Sequence, residues 1–147
     1  WYENNGSQNF SQHVIATDAD AAMMAYPIDV DGDDDIDLVT ASQSDHTIAW
    51  YENDGSQGFT EHKIVTNAQG ALEAFAMDVD DDGDIDILSA SYLDDTIAWY
   101  VNDGSQNFTE RQISRTVDYA IGVFATDINN DGKTDVVSAS SNLDRIA

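Results

Sequence analysis

The sequence predicts an all-β chain assembled from copies of one four-stranded unit. Three observations lead there. A motif recurs every 49 residues without a gap, and each period carries four short strand patterns separated by turn residues. No window holds an apolar i, i+3, i+4, i+7 stripe long enough for a pair of helices.

The period is carried by Trp1-Tyr2, Trp50-Tyr51 and Trp99-Tyr100. The turn Asn4-Asn5-Gly6-Ser7-Gln8 returns as Asn53-Asp54-Gly55-Ser56-Gln57 and as Asn102-Asp103-Gly104-Ser105-Gln106. Phe10, Phe59 and Phe108 keep the same register, as do Ile15, Ile64 and Ile113. The 147 residues therefore form a single repeat domain, phased 1–49, 50–98 and 99–147.

The middle copy shows the strands. Ala74-Phe75-Ala76-Met77 is a short apolar run before an acidic loop, and Ile87-Leu88-Ser89-Ala90-Ser91 follows that loop. Thr96-Ile97-Ala98-Trp99-Tyr100-Val101 is rich in β-branched and aromatic residues. Asn102-Asp103-Gly104-Ser105 is a turn, and Phe108–Ile113 roughly alternates and closes the unit. Four strands in a period of this length is the arithmetic of a propeller blade. The expected fold is a β-propeller of 49-residue, four-stranded blades, with three blade equivalents in the chain.

The blade is out of phase with the chain. Trp1-Tyr2-Glu3-Asn4 reads as the second half of a third strand and Arg145-Ile146-Ala147 as the first half of one. Ile146-Ala147 followed by Trp1-Tyr2 recreates Ile48-Ala49-Trp50-Tyr51. Propellers close with about 4–8 blades, so three are too few. Two expectations stand side by side. In one, two chains associate head to tail as a homodimer, each N-terminal segment completing the other's split blade in a six-bladed ring. In the other, the chain is a fragment of a longer propeller. The opening at Trp1 rather than Met, with no signal-peptide pattern in view, fits a processed product or a fragment.

Composition narrows the function. Apolar residues make up 41%, ordinary for a folded protein, but 29 acids against five Lys and Arg give a formal charge of −24. That sign argues against nucleic acid and against an anionic membrane surface. No run approaches the length of a membrane-spanning helix, so membrane insertion is not expected. The absence of cysteine removes disulfides and thiolate metal sites. So much negative charge costs self-repulsion, which bound cations would offset.

The acids cluster after each first strand. The loops are Asp29-Val30-Asp31-Gly32-Asp33-Asp34-Asp35-Ile36-Asp37, Asp78-Val79-Asp80-Asp81-Asp82-Gly83-Asp84-Ile85-Asp86 and Asp127-Ile128-Asn129-Asn130-Asp131-Gly132-Lys133-Thr134-Asp135. All place oxygen side chains at loop positions 1, 3, 5 and 9. Hard oxygen donors without His or Cys favour calcium over transition metals. Position 7 is free to vary where its backbone carbonyl is the donor, so the Lys133 ammonium can point to solvent. An EF-hand is excluded, because position 12 is Thr40, Ser89 or Ser138 rather than Glu and the flanks read as strands. A solvated acidic turn that binds nothing is the bland reading of one such loop. Three in register argue against it.

The Asp-x-Asp/Asn-x-Asp-Gly-x-x-Asp loop between two strands of a repeat this long resembles the FG-GAP/VCBS repeats of integrin α-subunit propellers and many secreted bacterial proteins. The resemblance covers the whole chain. It implies a β-propeller with one calcium ion per blade, up to three per chain. The side-chain ligands it implies are Asp29, Asp31, Asp33 and Asp37; Asp78, Asp80, Asp82 and Asp86; and Asp127, Asn129, Asp131 and Asp135. The implied carbonyl donors are Asp35, Asp84 and Lys133. Position 6 is Gly83 and Gly132 in two copies but Asp34 in the first, where Gly32 is expected to send the loop along a different path. Asn129 removes one charge from the third site, which is expected to bind more weakly than the second. Extracellular modules bind calcium at roughly 10⁻⁴–10⁻³ M, so such sites would be empty in the cytosol. An extracellular, periplasmic or cell-surface location follows.

Other candidates are weaker. His13 and His62 hold equivalent places in the last strand, where Arg111 stands in the third copy, and read as a polar strand face. His46 lies in a loop beside Asp45 with no nucleophile implied. No G-x-S-x-G or H-E-x-x-H motif is present, and no catalytic residue is assigned. The Trp-Tyr pairs could stack on sugars in a lectin, but their identical register points to packing between blades. Segments 19–25, 68–74 and 117–123, with 43–46, 92–95 and 141–144, differ most among the copies and are the candidate recognition loops. The leading function is a calcium-dependent scaffold for recognition of, or adhesion to, a protein or glycan, not an enzyme. A purely structural accessory domain comes second and a polysaccharide-active enzyme last.

Overall fold

The computed structural model describes residues 1–142 and 145–147; Leu143 and Asp144, at the end of the variable segment 141–144, lie outside them. The chain is all-β, and no helix occurs among the described residues. A hairpin opens it, β1 (Tyr2–Asn4) with β2 (Phe10–Gln12). Two four-stranded antiparallel sheets follow. The first is β3 (Ala22–Ile28), β4 (Asp37–Ser42), β5 (Thr47–Asn53) and β6 (Phe59–Val65), in that order. The second is β7 (Ala71–Met77), β8 (Asp86–Ser91), β9 (Thr96–Asn102) and β10 (Phe108–Ser114). A three-stranded sheet ends the chain, β11 (Ala120–Thr126), β12 (Asp135–Ser140) and β13 (Arg145–Ile146). Each sheet is a meander of neighbours, as a propeller-like blade requires.

The middle copy shows how sequence sets the layers. β8 is buried along its whole length because sheets pack on both of its faces. Beyond Asp86 its residues are accordingly apolar or small, from Ile87 and Leu88 to Ser89 and Ala90. β10, the outer strand, carries Thr109-Glu110-Arg111-Gln112 to solvent. One core lies between the first and second sheets, around Val39, Ile48, Trp50, Ala74, Ile87 and Tyr100. A second lies between the second and third, around Leu88, Ile97, Val123 and Ala125.

The first strands of the three sheets neighbour one another. Ala71, Ala74 and Ala76 on β7 are fully buried, and their small side chains let these strands approach closely. Tyr26, Phe75 and Phe124, at matching places in the repeat, form an aromatic ladder across them with ring centroids 5.4 and 4.5 Å apart. A bulge falls at the same place in each first strand, between Ala22 and Met24, Ala71 and Glu73, and Ala120 and Gly122. In the second sheet, Glu73 at the bulge accepts a 3.0 Å hydrogen bond from the Val123 N–H and so ties two blades together.

Candidate metal centre

The loop between the first two strands of each sheet begins and ends with an aspartate, and backbone donors hold both. In the first loop Asp29 accepts from Gly32 N–H at 2.8 Å and Asp34 N–H at 3.0 Å. In the second, Asp78 accepts from Asp82 N–H at 3.1 Å and Gly83 N–H at 2.9 Å. Asp127 does the same in the third, from Asp131 and Gly132. Position 5 accepts from the N–H of position 7 in every copy, through Asp33 to Asp35, Asp82 to Asp84, and Asp131 to Lys133. The chain thus wraps around its own acidic side chains.

Two positions need a left-handed backbone. Position 4 is Gly32 (φ 79°), Asp81 (φ 63°) or Asn130 (φ 60°), and position 6 is Asp34 (φ 73°), Gly83 (φ 95°) or Gly132 (φ 83°). The first loop keeps both left-handed positions, although Asp29 takes the position-4 N–H where Asp78 and Asp127 take the position-5 N–H. The glycine has exchanged places with an Asp or Asn, and all three loops adopt left-handed geometry at both sites. Asp and Asn enter this region more readily than other side chains, which permits the exchange. A Cβ at Gly83 would meet nothing within 4 Å, so only the backbone resists a side chain there. Gly83→Ala should destabilise the protein by about 1–2 kcal/mol in urea titrations. A neutral result would mean that this geometry is not required.

Oxygen atoms of Asp29, Asp31 and Asp37 lie within 4.8 Å of one another in the first loop, and those of Asp78, Asp80 and Asp82 do so in the second. Asp33 and Asp86 fall outside these two groups. In the third loop Asn129 stands in for one carboxylate and accepts from Asp131 N–H at 2.8 Å. Among the described residues Lys63 pairs with Glu61, and His13 and His62 contact Glu3 and Glu52; none of these contacts involves a loop carboxylate. Like charges about 4 Å apart repel by roughly 1 kcal/mol in bulk water and 4 kcal/mol at a protein surface. Asp31 accordingly holds its proton more tightly than an ordinary carboxylate, first through burial and then through repulsion from Asp33 and Asp37. Converging all-oxygen donors with no cation beside them fit a hard divalent ion.

Position 9 plays a second part that the sequence did not reveal. Asp37 and Asp86 are fully buried. Asp86 accepts from Val79 N–H at 3.3 Å and from Asn102 N–H at 2.8 Å, and the Asn102 amide donates to the Ile85 carbonyl at 3.1 Å. Asp37 likewise accepts from Val30 N–H and Asn53 N–H, and the Asn53 amide donates to the Ile36 carbonyl. Burial raises the pKa of both carboxyls, and the backbone donors partly offset it. This aspartate thus joins the loop to the far hairpin. The recurring Asn of the Asn-Asp-Gly turn was the available signal. The hairpin acids belong to a different environment. Gly58 and Ser56 N–H groups hold Asp54 below its ordinary value, and the Asn107 amide does so first for Asp103.

The other candidate residues are engaged in packing. Trp50 is buried and stacks on His62 at 4.6 Å, Trp1 stacks on His13 at 4.4 Å, and the Arg111 guanidinium lies 5.6 Å from the Trp99 ring centre. The residues of that polar strand face therefore cover the tryptophans. His46 Nδ1 lies 3.0 Å from the Gly70 nitrogen of the next blade and 2.9 Å from the Gln43 carbonyl of its own.

Fold and loops together define a class, a repeat protein of propeller-like blades with an acidic loop between the first and second strands of each. The FG-GAP-like repeat family matches residues 29–89 and 78–138, two windows offset by the 49-residue period. The chain belongs to that family. No curated protein matches it.

Proposed function

We propose that this chain is a calcium-stabilised scaffold for recognition of an extracellular protein or glycan. The observation that carries the reading is the convergence of three carboxylates within 4.8 Å in each of two loops, without a counter-cation. Side-chain ligands would come from positions 1, 3, 5 and 9, with carbonyls from Asp35, Asp84 and Lys133. Calcium suits these oxygen-only, flexible sites better than magnesium, which demands near-octahedral geometry.

Recognition belongs to the opposite end of the sheets. The acidic loops follow the first strands, whereas the variable segments span the start of those strands or join the second to the third. They are tied to one another by Gln43 N–H to the Ala21 carbonyl, Tyr92 N–H to Gly70 and Val117 N–H to Asp95. The Tyr92 and Tyr119 rings pack at a tilt with centroids 4.6 Å apart, and Met23, Leu93, Tyr119 and Ile121 are exposed. Exposed apolar and aromatic side chains on a rigid frame suit binding. FG-GAP repeats are typically non-enzymatic and typical of extracellular proteins, which supports a scaffold outside the cell.

Glycan and extracellular-protein arrays probed in millimolar calcium, roughly the level of extracellular modules, test this reading. Hits should vanish on chelation and weaken about tenfold or more with Tyr119→Ala, the scale of losing an aromatic anchor. Silence on both arrays would leave a purely structural domain, and hits indifferent to Tyr119 would place recognition away from this end of the sheets.

A further inference from the structure

The junction between the first two sheets holds a polar cleft separate from the variable loops. Its volume is about 530 Å³, within the range of small-molecule sites. One wall is the outer part of the first sheet, with Trp50 and Glu52 on β5 and Glu61, His62 and Lys63 on β6. The other is the β9–β10 turn of the second sheet, with Ser105 and Gln106. Asp31 joins the lining from the first acidic loop, so the cleft lies at the acidic-loop end of the sheets.

The acids of the first wall already have partners. His62 Nε2 lies 2.7 Å from Glu52 Oε2, and its imidazole is stacked on Trp50. Lys63 Nζ lies 3.7 Å from Glu61 Oε2, and Glu61 Oε1 accepts from the Tyr51 hydroxyl at 3.3 Å. Asp31 is committed to the oxygen cluster of its own loop. A charged ligand would have to break one of these contacts or lose its hydration without a partner. A neutral ligand rich in hydroxyls would do neither. Carboxylates accept from hydroxyls, the Lys63 ammonium and the Gln106 amide donate to them, and the Ser105 hydroxyl does either.

Gln106 supplies an independent argument. Its backbone is left-handed, with φ 56°, in a region that side chains other than Asn and Asp seldom enter. A glycine would make the same turn without strain. The side-chain hydrogen bonds of the turn run to Asp103 from Ser105 N–H, Asn107 N–H and the Asn107 amide, and to Asn102 from Gly104 N–H. The Gln106 side chain takes no part in them and lies half-buried against the cleft. A strained residue that its own turn does not need, lining a polar cleft, points to a ligand. Gln57 has the same backbone, with φ 69°, but is exposed and lies outside this cleft.

We infer that the cleft binds a neutral saccharide, whose hydroxyls donate to Glu52 and Glu61 and accept from Gln106. The site is distinct from the recognition surface at the opposite end of the sheets, and it stands whether or not that surface binds a partner.

Saturation-transfer NMR in calcium, with glucose, galactose, mannose, N-acetylglucosamine, cellobiose and lactose as probes, should find at least one binder. Gln106→Gly should weaken that binder about tenfold or more, while the urea midpoint holds or rises as the backbone strain is relieved. Gln57→Gly, the same change in the preceding hairpin, should leave binding unaltered. A panel without a binder overturns the inference, as does a binder that the two glycine substitutions affect alike. Tetralysine or tetraglutamate binding that Gln106→Gly weakens, with the sugars silent, would assign the cleft to a charged ligand and overturn it too.

Discussion

Chelating calcium should lower the melting temperature of this chain by roughly 15–30 °C. One site filled at a hundredfold excess over Kd stabilises the native state by about 2.7 kcal/mol. For a chain of this size each kcal/mol moves the midpoint by about 2–4 °C, and three loops contribute. Magnesium should restore much less, because it sheds water reluctantly. Calorimetry should count two or three ions per chain, with the third loop weakest through Asn129. The calcium effect should also shrink as pH falls from 7 toward about 4. Burial and mutual repulsion raise the pKa values of Asp31, Asp37 and Asp86. Without metal, these groups favour folding fully below the unfolded carboxylate pKa, and that contribution is lost as pH rises through their raised values. Acid therefore helps the metal-free loops while protons displace calcium. An unchanged melt with no binding heat would reduce the loops to solvated turns and remove the chemical basis of the proposed function.

The second large effect separates the two roles of the loop acids. Asp86→Ala should destabilise the protein by about 3–5 kcal/mol in urea titrations run with chelator, that is, without any metal contribution. It strands the Val79 and Asn102 N–H groups, and the latter is buried. Leaving a buried donor unmade costs about 1–3 kcal/mol each, beside the disrupted Asn102 bond to Ile85. Asp80→Ala removes the same charge from an acid that makes no such bonds. It should be neutral or slightly stabilising in chelator, through relieved repulsion, yet weaken calcium binding. Equal effects of the two substitutions without metal would refute the account of position 9 as the link between loop and hairpin.

Much of this molecule is legible in the chain itself. The 49-residue period, the strand order and the acidic loop positions depend on side-chain spacing along the sequence, which repeats without a gap. Strand ends also follow closely. The expected Thr96–Val101 and Phe108–Ile113 segments lie within Thr96–Asn102 and Phe108–Ser114. The first loop is where local reading was incomplete. Asp34 in place of glycine suggested a different path; one donor to Asp29 does shift, but Gly32 with Asp34 meets the same two left-handed positions as Asp81 with Gly83.

By itself the sequence determined the repeat, the all-β architecture, the family and the oxygen-rich loops, because each is written in residue types at fixed separations. Only the tertiary structure decided that Asn102 N–H closes on Asp86 across 16 residues and that Trp50 lies buried beneath His62. Those facts depend on strand register and on which sheet faces are covered. Backbone N–H and carbonyl groups are the same at every residue, so no residue type announces where they pair until the strands are side by side.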